Sequence, residues 1–399
     1  MKQIVVQKYG GSSVADVDKI RGVAERIINT RKAGYDVVAV VSAMGSSTDN
    51  LIKQARQVST SPKKRELDML LSVGERITMS LLSMAIEDMG FEALSFTGSQ
   101  CGIITSDSHS NARIIDVRPI RIEDELERGK IVIVAGFQGM SYKREVTTLG
   151  RGGSDTTAIA IASALNAKYC EICSDVDGVY TSDPRRVDTA QKINQLNYDE
   201  MEALGEAGSE VLNPDAIEFA RRRGLTVKLS STFKDGNGTL LLEQSTVSED
   251  PKVKAVACRE QIYYLHSSKS DNGTLDKILD ILDQQRIPTD TLSMNSAGIG
   301  IATNPDKVPN WEKLKSSLKD IFKDSIITRD DLGTVSLVGN ALSSSPKSLK
   351  TALTALNKAE IDYHDVSMSR SCITFILSAT DVLQASKTLH DTFFPIRSI

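Results

Sequence analysis

The sequence predicts an α/β protein: a mostly parallel sheet sandwiched between helices, followed by a smaller module that occurs twice. Three observations carry this reading. Over the first 245 or so residues, near-continuous Val/Ile runs alternate with amphipathic stretches, which is how parallel strands covered on both faces read. Beyond "STFKDGNGTLL" the alternation gives way to a self-similar pattern, in which "RIPTDTLSM" ends at Met294 and "EIDYHDVSM" at Met368. The chain of 399 residues also exceeds one ordinary core, so two or three domains are expected.

Taken in order, "KQIVVQK" is a strand and "VDKIRGVAERIINTRKAG" a helix ending at Gly34. "YDVVAVVSAMG" is a strand entering a loop. "KKRELDMLLSVGERITMSLLSMAIEDMG" reads as one long amphipathic helix ending at Gly90, and "EALSFTGSQ" and "KIVIVAGFQG" as further strands. Ligands in a doubly wound sheet bind outside the carboxyl ends of the strands. The loops to search are therefore 8–13, 42–50, 97–111, 136–153 and 174–185. In the tail, Leu279, Leu282 and Ile287 match Leu353, Leu356 and Ile361. Each repeat reads strand, loop, helix, strand, strand, helix, closing with "EKLKSSLKDIF" or "VLQASKTLHDTF", and is identified as a ferredoxin-like βαββαβ module. The expected domains are 1–245, 246–330 and 331–399.

Composition narrows the function. The net charge is −4 with no Lys/Arg block, and aromatics are only 5% of residues. Neither nucleic acid nor an anionic membrane is an expected partner. No apolar run is read as long enough to span a bilayer, and "MKQIVVQKYGG" is too short for a signal peptide, so the cytoplasm is expected. Five cysteines in a chain of this length do not form a disulfide framework. Cys170 and Cys173 form a C-x-x-C, but on a strand residues three apart point to opposite faces and read as small core residues. No metal ligand is assigned.

Four stretches carry chemistry. In "VVQKYGGSS", Lys8 stands between an apolar strand and Gly10-Gly11. The glycines leave backbone N–H groups open to a phosphate, Ser12 and Ser13 can cap the next helix, and the ammonium supplies compact positive charge. An ordinary turn after a strand-ending lysine reads equally well from this motif alone. In "TTLGRGGSDTTAIA", Gly150, Gly152 and Gly153 surround Arg151, ahead of Ser154 and Asp155. Exposed amides, a helix N-terminus and an arginine fork suit a carboxylate. Asp155 is either a helix cap or a residue that orients lysine and substrate. In "SDVDGVYTSDPRR", Ser174, Asp175, Tyr180 and Arg185 follow a strand, as a nucleotide site or a polar connector. Glu75, after a mid-helix Gly74 in "LLSVGERIT", borders the apolar stripe and reads as a solvated side chain or as the partner of a substrate ammonium.

Together these stretches resemble the aspartokinases of the amino-acid-kinase family, over almost the whole chain. "KYGGSSV", "VVSAMGSSTDNL", "LLSVGERI", "FTGSQCGIIT", "NARIIDVRP", "VAGFQG", "TTLGRGGSDTTAIA" and "SDVDGVYTSDPR" follow the family pattern. The tail resembles the family's paired ACT domains, the first inserted into the second. The resemblance implies ATP-dependent phosphorylation of the β-carboxylate of L-aspartate, with Mg²⁺ on the phosphates. It implies Lys8 on the transferring phosphoryl group, lined by Gly10, Gly11 and Ser12. Arg151 would take the α-carboxylate of aspartate and Glu75 its ammonium, with Ser42 and Thr48 near the substrate. Asp155 would orient Lys8 or the acceptor, and Ser174, Asp175, Tyr180 and Arg185 would hold the nucleotide. It also implies a homo-oligomer joined through the ACT modules, and lysine or threonine as effector.

Three departures stand out. "GSEVLNPD" puts Glu210 where the family commonly has lysine. "SDNGT" displaces Asp271 by one and lacks the loop proline. "SMSRSCIT" puts Arg370 where an acidic residue is expected. Two other readings follow: a kinase of another amino-acid carboxylate, which Glu75 opposes, and a catalytically silent ACT sensor, which intact Lys8, Arg151 and Asp155 oppose.

Overall fold

The computed structural model describes residues 2–150, 152–209, 211–234, 236–243 and 252–395. Two compact units emerge: Met1–Val179, Lys192–Glu202 and Glu210–Val247 in the first, Tyr180–Gln191, Ala203–Ser209 and Ser248–Ile399 in the second. Up to residue 243 the chain runs β1 (Ile4–Tyr9), α1 (Val17–Lys32), β2 (Asp36–Val41), α2 (Ser47–Val58), α3 (Lys64–Leu71), α4 (Val73–Asp88), β3 (Ala93–Phe96), β4 (Ile103–Thr105), β5 (Ile114–Val117), α5 (Ile120–Glu127), β6 (Ile131–Ala135), β7 (Gln138–Ser141), β8 (Val146–Thr148), α6 (Gly153–Ala164), β9 (Tyr169–Ser174), β10 (Gln195–Asn197), α7 (Tyr198–Glu206), α8 (Pro214–Arg222), β11 (Val227–Ser231) and β12 (Thr239–Leu242).

Eight strands make the main sheet, in the order β10-β12-β11-β9-β1-β2-β6-β3. The β11–β12 pair is antiparallel and the other pairs parallel. β2 and β6 are buried at every residue, as β-branched runs covered on both faces must be. One face packs Val37, Ala39, Ile131 and Ile133 against Ile20, Val23 and Ile27 of α1 and Leu82 and Ile86 of α4. Each of these Val, Ile and Leu side chains contributes about 1.5–3 kcal/mol by leaving water. After β1 the chain adds β2 on one side and later β9 on the other. The carboxyl ends of β9, β1 and β2 are thus a topological switch point, where a crevice opens.

Several expectations need correction. The first helix is not capped by Ser12 or Ser13. Residues Gly11–Val14 form a short 3₁₀ turn, and Asp16 caps α1 by accepting from Lys19 N–H. The stretch read as one long helix is two, α3 and α4, parted at Ser72, whose carbonyl accepts from Gln138 Nε2 at 2.9 Å. A carbonyl claimed by a side chain outside the helix is a recognised cause of a break. By length and composition alone this Lys64–Asp88 stretch could cross a membrane, contrary to the sequence reading. Its buried residues include Asp68, Glu75 and Thr78 beside Leu71, Met79, Leu82 and Ile86, the pattern of a core element. A second sheet, β5-β4-β7-β8, was not foreseen. Its strands of three or four residues are too short to show a period of two.

The second unit contains β13 (Lys252–Ser267), α9 (Asn272–Gln284), β14 (Thr291–Asn295), β15 (Gly298–Thr303), α10 (Trp311–Phe322), β16 (Ile326–Asn340), α11 (Lys347–Lys358), β17 (Tyr363–Met368), β18 (Cys372–Ser378) and α12 (Val382–Phe393). The sheet order is β14-β15-β13-β16-β18-β17. The long antiparallel strands β13 and β16 each serve two cores, and their register shifts between Arg259 and Tyr264. Leu265, Ile278, Leu282, Ile301 and Leu314 fill one core. Val253, Val256, Leu337, Leu356, Phe375 and Leu389 fill the other. The matched pairs Leu282/Leu356 and Ile287/Ile361 are all buried, as equivalent positions of a repeat should be.

Candidate active site

The carboxyl end of β1 places Lys8 beside Val40 of β2 and Ile172 of β9. Its side chain is 12% exposed, and an ammonium so enclosed needs an anion. Asp155 supplies it, with Oδ1 at 2.6 Å from Nζ. Asp155 lies in the first turn of α6, whose cap residue is Gly152 at φ +69° with no side-chain capping bond. Asp155 is therefore the lysine's partner and not the helix cap. Ser154, before it in the chain, is buried.

Close approach explains Gly11: a Cβ there would stand 2.9 Å from the carbonyl oxygen of Ala43, whereas one on Gly10 would be in ordinary contact with Lys8 Nζ, at 3.5 Å. Gly45 N–H donates to the Gly11 carbonyl at 3.0 Å, and Ser42 N–H to the Tyr9 carbonyl at 3.1 Å. The loops after β1 and β2 are thus stitched edge to edge, with Ser42 half-buried between them and Ser12 exposed. Ser13 is buried and shares a 2.6 Å hydrogen bond with Thr232 Oγ1. Thr48 sits in the first turn of α2, half-buried.

Glu75 corrects the reading of a solvated side chain: it is 3% exposed. Oε1 accepts from Ala43 N–H at 3.2 Å, while Oε2 is buried without a hydrogen-bond partner among the described residues. Burial pushes its carboxyl up to about 7, partly opposed by backbone hydrogen bonds, including that from Ala43. Gly74 makes this contact possible, since a Cβ there would lie 2.7 Å from Ala43 Cβ.

On the other side of β1, Ser174 ends β9 and its Oγ accepts from Val176 N–H at 3.3 Å. Asp175 is exposed, and Asp177 pairs with Lys192 at 2.5 Å. Tyr180 and Arg185 belong to the second unit, where Arg185 grips Asp183 through Nε and Nη2 at 3.0 and 2.8 Å. Arg151 and Glu210 lie outside the described residues.

Sequence reasoning missed Phe137, two residues after β6. Its φ of +66° lies in the left-handed region, which costs a bulky residue about 1–3 kcal/mol. Thr157 Oγ1, accepting from its N–H at 3.2 Å, and Leu149 N–H, donating to its carbonyl at 2.9 Å, hold it there. The strained backbone lies at a strand's carboxyl end, where ligands bind in such sheets, and "AGFQG" shows it only as part of a family pattern. Another buried carboxylate, Asp68, also escaped notice.

Chemically, the crevice combines an enclosed ammonium, a glycine turn, a helix N-terminus and a buried carboxylate with one free oxygen. That set suits a phosphoryl group and an amine-bearing acceptor. Among the described residues no group of three His, Cys, Asp or Glu could hold a metal ion. Cys170 and Cys173 are free and fully buried, and burial pushes both thiols up.

The sequence profile of the Amino acid kinase family matches residues 3–230. Aspartokinase 2 of Bacillus subtilis (strain 168) is 41% identical over 98% of this chain and 97% of its own. Among solved structures, E. coli aspartokinase III in complex with aspartate and ADP superposes with a TM-score of 0.80 at 24% identity, covering 98% of this chain and all of its own. The same enzyme with lysine and aspartate gives 0.82 at 23% identity, over 98% and 99%. At these identities the likeness to the solved structures is one of fold.

Proposed function

The chain belongs to the amino acid kinase family and, within it, to the aspartokinases, and from that premise we propose how its own residues phosphorylate the β-carboxylate of L-aspartate with ATP. The observation that carries the proposal is the Lys8–Asp155 pair at 2.6 Å, at the switch point of the sheet and beside Gly10-Gly11. The acceptor carboxylate is an anion at pH 7 and needs no general base. One of its oxygens attacks the γ-phosphorus, the bond from phosphorus to the β,γ-bridging oxygen breaks, and ADP leaves with that electron pair. Lys8 stands where charge passes between the two oxygens. Asp155 keeps the ammonium aimed, and Gly10, Gly11 and Ser12 line the path of the phosphoryl group. Catalysis is then positioning and charge neutralisation.

Glu75 Oε2 receives the substrate ammonium, and Arg151 takes the α-carboxylate, with Ser42 and Thr48 beside the acceptor. A buried carboxylate with an unfilled acceptor favours a free amino acid over an N-acetylated one. Ser174, Asp175, Tyr180 and Arg185 serve the nucleotide. Mg²⁺ arrives on the phosphates as part of the substrate. We assign the chemistry to residues 1–245 and amino-acid sensing to ACT modules at 246–330 and 331–399. The ACT modules also join copies of the chain, and the enzyme works in the cytoplasm. The experiment is kinetic: Lys8→Ala should lower kcat by ~10² or more, the scale of losing one preorganised charge donor. A kcat within a few-fold of wild type would refute the assignment.

A further inference from the structure

Asp68 on α3 is fully buried, yet no sequence pattern marks it and no step above uses it. Its carboxylate collects donors from two distant segments. Ser110 N–H reaches Oδ1 and Oδ2 at 3.0 and 3.1 Å, and Ser110 Oγ reaches Oδ1 at 3.3 Å. Thr148 Oγ1 donates to Oδ1 at 2.6 Å, and His109 Nδ1 to Oδ2 at 2.7 Å. The imidazole is partly exposed, at 22%. A buried charge is a poor device for stability alone, since a well-packed apolar side chain does as well or better. What it gives here is register.

Two segments are held in place. Ser110 has φ +65°, a conformation that costs free energy in a residue with a Cβ and that the two oxygens of Asp68 restrain. Ala112 N–H donates to the Thr148 carbonyl at 2.9 Å, so the 106–112 loop runs beside the end of β8. Two residues beyond Thr148, Gly150 turns at φ +84°, and a Cβ there would lie 3.0 Å from Asn111 Oδ1. The chain then enters α6 and Asp155. Asp68 thus clasps the loop carrying His109–Asn111 against the glycine turn between β8 and α6. It does so from the helix directly before the one that carries Glu75.

We propose that Asp68 and His109 are positioning residues that hold the 109–111 loop against the Gly150 turn and thereby set the amino-acid subsite, leaving the nucleotide subsite untouched. This rests on the reading of the enzyme given above. Buried Asp68 reaches the substrate only through the elements it holds, and His109 is the part that can be altered without opening the core.

The test compares His109→Ala, His109→Gln and Asp68→Asn in full-length enzyme, measuring kcat and KM for L-aspartate and for MgATP, with thermal unfolding alongside. For His109→Ala, KM for aspartate should rise about tenfold, the scale of a small misplacement of a binding group, with kcat and KM for MgATP within about threefold. His109→Gln, whose amide can still donate to Asp68, should recover most of the loss. Asp68→Asn should raise KM for aspartate at least as far. Unchanged aspartate KM in His109→Ala would overturn the inference. So would parallel losses in both KM values and kcat that follow the unfolding temperature. A wild-type enzyme that makes no acyl phosphate from aspartate would instead overturn the underlying reading, and this inference with it.

Discussion

Lys8 was conspicuous in the sequence because a charge at the end of a Val-rich strand, next to two glycines, has few uses. Asp155 was half visible, as cap or orienting group, and the 2.6 Å contact decides between the two. The burial of Glu75 was not legible. Its place beside an apolar helix stripe says nothing of the Ala43 loop that seals it from water. The clue was Gly74, whose missing Cβ has meaning only once that loop is known. Glu75 also sets a pH dependence. With its carboxyl raised to about 7 by burial, the free enzyme carries a neutral Glu75 at lower pH and cannot pair a substrate ammonium. We expect kcat/KM for aspartate to rise with pH through about 7, and Glu75→Gln to lose that rise along with much of the affinity. An unchanged pH profile in Glu75→Gln would dismiss the role. The same raised value means that Glu75 opposes folding as pH rises: the native state holds a proton between about 4.5 and 7 that the unfolded chain has released.

At the scale of elements, the centre of the main sheet was readable because β1, β2 and β6 are runs of five or six residues, rich in β-branched side chains and largely buried, whereas β10 and β12, of three and four residues, were not. The strands β4, β5, β7 and β8 were not, since three or four residues carry no period. The break at Ser72 was hidden for a different reason: Gln138, which takes the helix carbonyl, is 66 residues away in sequence. Tight element packing gives a direct test. Gly74→Ala should drive α4 and the Ala43 loop apart, because the new methyl would start 2.7 Å from Ala43 Cβ. Overpacking of this kind costs about 1–3 kcal/mol. We therefore expect a lower denaturation midpoint together with a higher KM for aspartate, while KM for MgATP holds. A variant as stable and as active as wild type would show that the two elements are not locked together.

For the whole molecule, the repeat at the tail was legible from apolar positions, and the family resemblance implied that one module is inserted into the other, as Val253 and Val256 packing with the last repeat bears out; that β13 and β16 each run on through two cores was not legible. His390 of α12 is fully buried, with Nε2 2.8 Å from Thr181 Oγ1 and Nδ1 3.2 Å from Thr189 Oγ1, and burial lowers its pKa. A histidine kept neutral contributes stability that is fully present above the unfolded value, ~6.5, and is lost as pH falls below it. We expect the unfolding temperature to fall more steeply in wild type than in His390→Gln between about pH 6.5 and 5.5. Parallel curves would remove His390 from the account. Regulation gives a further test. Asp271 spends both carboxylate oxygens on Thr274, at 2.9 and 2.8 Å, and exposed Arg370 would repel an ammonium. Inhibition by lysine or threonine should be weak, altered or absent in a rate assay. Tight inhibition by lysine, relieved by changes at 270–273 or 367–371, would contradict this. The central claim is that Lys8 and Asp155 serve a carboxylate acceptor held by Glu75 and Arg151. The measurement that meets it most directly is an acyl-phosphate trap: purified enzyme, MgATP, hydroxylamine and a panel of amino acids. L-Aspartate should give the hydroxamate and L-glutamate much less, because its extra methylene carries the acceptor away from Lys8. Equal or better turnover of glutamate, or of an N-acetylated amino acid, would contradict the account.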